Sequence, residues 1–116
     1  MIIGHRGDVK KDEVQVAGCQ GTAIQWLLGP KESVPHFHMR YVTVDEGGVI
    51  PLHSHGPIHQ MFIVKGQGAV LYEGGDTPIR EGSFVYMPSG RIHGTRNTGR
   101  GPLEFVCCIN KVDDGR

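Results

Sequence analysis

The chain has 116 residues, enough for one hydrophobic core and a single domain over 1–116 but not for two. Its 12 Lys and Arg balance 12 Asp and Glu, so with neutral histidines no net charge draws it to nucleic acid or anionic lipid, and neither is expected as a partner. No stretch approaches the roughly 20 apolar residues of a membrane span, and MIIGHRGDVKKDE lacks the apolar core of a signal peptide, which predicts a cytoplasmic protein.

The 18 glycines and 7 prolines are scattered between short apolar runs, leaving no helical pattern of normal length and predicting an all-β fold. Residues 1–16 are polar and weakly periodic and read as an N-terminal arm, with His5 in a mobile tail and without a role. The segment from Gly18 to Leu28 reads as one or two strands ending at Gly29-Pro30, with Trp26 a core or dimer contact. From His36 to Val44 a strand places Phe37, Met39, Tyr41 and Thr43 on one face and His36, His38, Arg40, Val42 and Val44 on the other. Glu46-Gly47-Gly48 reads as a turn.

Next comes Gly47-Gly48-Val49-Ile50-Pro51-Leu52-His53-Ser54-His55-Gly56-Pro57-Ile58-His59. His53 and His55, two residues apart, share one face of a strand and aim at one point, and His59 follows a Gly-Pro bend. Converging neutral imidazoles suit Fe, Mn, Ni, Cu or Zn. By itself a His-x-His on a strand fits surface or hydrogen-bonded core histidines equally well.

Further strands are predicted at Gln60 to Val64, Gly68 to Tyr72, Ser83 to Met87, Ile92 to Thr95 and Leu103 to Ile109, separated by glycine- and proline-rich turns at 65–68, 73–76, 88–90 and 98–102. On the last of these, Leu103, Phe105, Cys107 and Ile109 share one face, so Cys107 and Cys108 point opposite ways and are poorly placed to bridge each other. With Cys19 they make three thiols, read as free in a reducing compartment. Short strands at near-regular spacing leave a sandwich and a closed barrel both open.

The choice comes from motifs. Gly82, Pro88, Gly90, His93 and Asn97 fit G-x5-P-x-G-x2-H-x3-N without a departure, and Gly47, His53, His55 and Gly66 fit G-x5-H-x-H-x3or4-E-x6-G except at its glutamate. Together these resemble the paired motifs of the cupin family. Counting back seven residues from Gly66 puts His59 where that family carries the glutamate; Gln60 takes the place only in the longer spacing, with the glycine out of register. The resemblance runs from about Phe37 to Lys111 and is to small single-domain cupins that bind manganese or iron through four histidines.

It implies a jelly-roll (double-stranded β-helix) barrel over about 37–111 and one divalent metal, Mn or Fe before Zn, Ni or Cu, on His53, His55, His59 and His93. It also implies a homodimer in which N-terminal strands cross the neighbour's barrel. Four neutral donors leave the dipositive charge to act on whatever fills the remaining positions, favouring an anionic or chelating small molecule. If the metal is octahedral, two neighbouring positions stay open.

The substrate-pocket residues implied are Arg40, as a carboxylate clamp, and His38, Phe105 and Cys107. His36 is expected at a surface or interface, and Asn97 is expected to tie down backbone through Asx-type hydrogen bonds. Three functions follow: a metal-dependent oxygenase of a small organic molecule, with oxidative C–C cleavage among its reactions; a redox-neutral Lewis-acid isomerase, lyase or sugar-processing enzyme with His38 as base; and a non-enzymatic binding or sensing module.

Overall fold

The computed structural model describes residues 1–54 and 56–111. Eight strands form: β1 (Gln20–Leu28), β2 (Phe37–His53), β3 (His59–Lys65), β4 (Gln67–Tyr72), β5 (Gly75–Arg80), β6 (Phe84–Met87), β7 (His93–Asn97) and β8 (Leu103–Asn110). The only helical segments among the described residues are short 3-10 turns at Arg6–Asp8 and Pro30–Glu32. The all-β expectation holds.

All pairings between named strands are antiparallel, in the order β5-β4-β7-β2-β8-β3-β6, with β1 added to β2. The two end strands, β5 and β6, are consecutive in sequence. The turn joining them donates from Gly82 N to Ile63 O and accepts from Ile63 N at Ser83 O, curling the sheet toward closure as a barrel.

Two predictions at the sequence level fail for identifiable reasons. Glu46-Gly47-Gly48 is not a turn, because β2 runs through it. Gly47 adopts φ +76°, and the β1 register steps from Thr22↔Val44 to Gln20↔Val49, so the glycines build a bulge that bends one long strand. That bend lets β2 pair with β8 along its first half and with β7 along its second. Residues 75–80, partly read as a turn, form β5 as an edge strand, where Pro78 is tolerated because one side needs no donors.

Alternation carries the core. Leu103, Phe105, Cys107 and Ile109 are buried on β8, and Met61 and Ile63 face them from β3 beside His59. The register stacks these in layers: Ile109 with His59, then Cys107 with Arg40 and Met61, then Phe105 with Val42 and Ile63, then Leu103 with Val44. The last layer is sealed, with Leu103 and Val44 inaccessible to solvent, as is Ile63 in the layer beside it.

The loop after β7 pins the bulge region. Asn97 Nδ2 donates to Val44 O and to Gly101 O, each at 2.9 Å, Gly99 N donates to Asn97 Oδ1 at 2.9 Å, and Gly101 N donates to Glu46 Oε1 at 2.8 Å. The backbone-tying role expected of Asn97 is what it performs.

The N-terminal arm lies along its own barrel. Asp12 makes a β-bridge with Ile24, and Val14 and Val16 pack against the core. Buried Gln25 latches it, donating to Arg6 O and Val9 O at 2.9 Å and accepting from Arg6 Nη1 at 3.1 Å. His5 is exposed and its Nδ1 accepts from Gly7 N at the first 3-10 turn.

Candidate metal and ligand site

A cavity of about 640 Å³ occupies the barrel end opposite the sealed layer. Its wall is mostly apolar, with Val42, Ile50, Met61, Phe105 and Ile109 from the sheet, Trp26 from β1 and residues 13–17 of the arm. The polar groups are His53, His59, His93, Thr95, Arg40 and Cys107, together with Ser54, Glu13 and Gln15. Met61, Ile109 and Ile50 could be found from the alternation around the histidines; the arm residues carry no such signal.

The three described histidines converge because of where strands end and begin. His53 closes β2, His93 opens β7, and the two are register partners; His59 opens β3. Ring centroids lie 4.7 Å apart for His53 and His93 and 5.0 Å apart for His59 and His93. His55 lies outside the described residues. Among the described residues no set of three His, Cys, Asp or Glu side chains makes up a formed metal centre.

Their hydrogen bonds nevertheless suit metal donors. His53 Nδ1 donates to Pro51 O and His93 Nδ1 donates to Arg91 O, each at 2.8 Å. A carbonyl only accepts, so in both rings the proton sits on Nδ1 and Nε2 is the electron-pair donor. Burial lowers the His93 pKa, opposed by its bond to the Arg91 carbonyl.

His59 is held differently. Its Nδ1 lies 3.1 Å from Cys107 Sγ and 3.3 Å from Arg40 Nη2, and Arg40 Nη2 also donates to Cys107 Sγ at 3.1 Å. Burial raises the Cys107 pKa, against the lowering effect of Arg40. Arg40 also sits 5.4 Å from the Trp26 ring centroid, a cation–π contact, and its Nε is buried with no partner among the described residues. Phe105, Cys107 and Arg40 all line the cavity.

His38 does not line it. Its ring packs edge-on against Trp26, with centroids 5.8 Å apart, and is 1% exposed with neither nitrogen partnered among the described residues. Burial first, then the charges of Lys111 and Arg40, lower its pKa. His36 is exposed, and Gln60 points outward from β3. Cys19, Cys107 and Cys108 are free thiols. No described helix is long and apolar enough to cross a membrane.

Comparison with known proteins bears on the family and the fold. An oxalate-binding protein of Thermotoga maritima is 36% identical over 64 residues, 54% of this chain and 53% of that protein. A mannose-1-phosphate guanylyltransferase of Sinorhizobium fredii is 35% identical over 71 residues, 60% of this chain but 14% of that one. This chain therefore spans about half the length of the first and a small part of the second. Among solved structures, a polyketide cyclase from Streptomyces resistomycificus superposes with a TM-score of 0.87 at 22% identity, over 95% of this chain and 79% of that one. A protein described as a predicted oxalate decarboxylase from Thermotoga maritima does so with 0.83 at 23%, over 96% and 100%. At these identities the structural likeness shows the fold. Residues 40–109, which hold Arg40, all four motif histidines and Cys107, match the cupin domain family, and the chain belongs to it.

Proposed function

We propose that this cupin is a metal-dependent oxygenase of a small organic molecule, holding Mn or Fe on His53, His55, His59 and His93. His55 enters the set on its sequence spacing. The observation that carries the reading is an apolar cavity with three imidazoles clustered beside Arg40, the single cation lining it among the described residues. A divalent metal there would supply Lewis acidity toward a chelating oxygen pair and, as Mn or Fe, access to dioxygen chemistry. Arg40 supplies a fixed positive charge and a buried Nε–H for an anionic head group, while Val42, Phe105 and Ile109 accept the apolar body.

The redox-neutral alternative needs a base facing the substrate. His38, the candidate for that task, sits behind Trp26 and off the cavity wall, which favours the oxygenase. The binding-module reading keeps one supporting observation, the 36% identity to a protein named for binding oxalate, a small chelating dianion that neutral donors and Arg40 would suit.

The three separate in one experiment. Protein loaded with Mn(II), Fe(II) or Zn(II) is given enols, phenols and keto acids while oxygen uptake and product are followed. Uptake with Mn or Fe but not Zn supports the oxygenase; turnover that persists with Zn supports Lewis-acid chemistry. Micromolar oxalate binding without any turnover supports the binding module.

As its partner we propose a second copy. Phe62, Phe84 and Tyr86 are exposed on the outer face of β3 and β6, Phe62 and Phe84 as direct cross-strand neighbours beside the open edge of the sheet.

A further inference from the structure

We propose that Cys107 is the positioning residue for His59: its Sγ accepts the Nδ1 hydrogen, leaving the Nε2 lone pair for metal. This rests on the metal reading above. The three described imidazoles are not held alike. His53 and His93 each bond through Nδ1 to the carbonyl two residues earlier, Pro51 O and Arg91 O, and the same short-range device fixes both rings. His59 opens its strand and meets side chains instead, Cys107 Sγ at 3.1 Å and Arg40 Nη2 at 3.3 Å.

Those two neighbours favour opposite tautomers. A guanidinium only donates, so a bond from Arg40 to Nδ1 requires that nitrogen to be bare and puts the ring proton on Nε2, where it blocks a metal. Sulfur can accept. Arg40 Nη2 donates to Sγ at 3.1 Å, and His59 Nδ1 meets the same atom at 3.1 Å, so Sγ stands between two donors that would otherwise face each other. The ring stays neutral with its one proton on Nδ1, the thiol keeps its own hydrogen, and no group is oxidised. The cross-strand register holds the trio, because Cys107 pairs with Arg40 on one side and Met61 on the other, two residues along from His59. His59 is 5% and Cys107 1% exposed, so bulk solvent is a poor substitute for the sulfur.

The test uses Zn(II), titrated against a competing chelator into wild type, Cys107→Ser, Cys107→Ala and the double variant Cys107→Ala/Arg40→Met. Nitrogen-15 histidine spectra of the Zn-loaded proteins report which His59 nitrogen carries hydrogen. Loss of an outer acceptor typically weakens metal affinity about 10–100-fold, and that is expected for Cys107→Ala. Cys107→Ser should retain most of the affinity, because its hydroxyl accepts. The double variant should recover part of the loss, because the competing donor is gone. Undiminished Zn affinity in Cys107→Ala with His59 still protonated at Nδ1 would overturn the proposal. Equal losses in the Ser and Ala variants, tracking their melting temperatures, would overturn it by marking Cys107 as packing alone. A wild type that binds no metal would defeat the metal reading itself.

Discussion

Asn97→Ala tests how the barrel keeps its bent strand in place. The native side chain makes three hydrogen bonds at 2.9 Å, to the carbonyls of Val44 and Gly101 and from the amide of Gly99, and the residue is 6% exposed. At about 1 kcal/mol net for each bond, with the buried Val44 carbonyl at the costlier end, truncation should destabilise the fold by about 3 kcal/mol. For a domain of this size that lowers the melting temperature by roughly 12 °C, a large part of a typical margin of about 5–15 kcal/mol. Asn97→Asp should do no better at pH 7, since it keeps the bond from Gly99 but sets a carboxylate oxygen against two carbonyl oxygens. Urea unfolding followed by circular dichroism gives the value. A loss within about 0.5 kcal/mol, the range of an ordinary surface substitution, would refute the reasoning.

Tyr41 donates to Glu104 Oε1 at 2.7 Å, and burial followed by that bond pushes its pKa up to about 12. A phenol whose folded pKa is raised contributes stability below its unfolded value near 10 and loses it as pH climbs toward 12, at most about 3 kcal/mol. Tyr41→Phe should flatten unfolding free energy against pH across that window, and an unchanged slope would contradict the assignment. A methyl group on Gly94 would lie 2.5 Å from Ile50 O and 3.0 Å from Pro51 O, the acceptor of His53. Gly94→Ala should therefore destabilise by about 1–3 kcal/mol and weaken Zn binding in the same titration; wild-type affinity would show that the Pro51 carbonyl does not matter for His53. Phe84→Asp should shift the chain from dimer to monomer in sedimentation, and an unaltered profile would remove the β3–β6 face as the interface.

Local patterns made the strands around the site legible. The alternation on β8 put Phe105 and Cys107 on one face, and the family resemblance made that face the inner one and gave His59, not Gln60, the motif position; the strands bury Phe105, Cys107 and His59 and expose Gln60. Features that depend on long-range register were not legible. Gly47-Gly48 has the composition of a turn, and only the pairing of β2 with β1, β7 and β8 makes it a bulge. The contact of Arg40, Cys107 and His59 joins β2 and β3 to β8, about 50 to 70 residues further along the chain. His38 shares a strand face with Arg40, yet Trp26 of β1 covers it, which alternation along β2 cannot reveal. The arm over the cavity is held by Gln25, a polar residue with no periodic signature.

The central claim, a histidine metal centre with His59 in the place of the family's glutamate, meets its most direct test in elemental analysis. Wild type, His59→Ala and Gln60→Ala would be purified without metal-affinity resin and equilibrated with limiting Mn(II) or Fe(II). Wild type and Gln60→Ala should hold one equivalent per chain and His59→Ala should lose most of it; full occupancy in His59→Ala with loss in Gln60→Ala, or no metal in wild type, would contradict the claim.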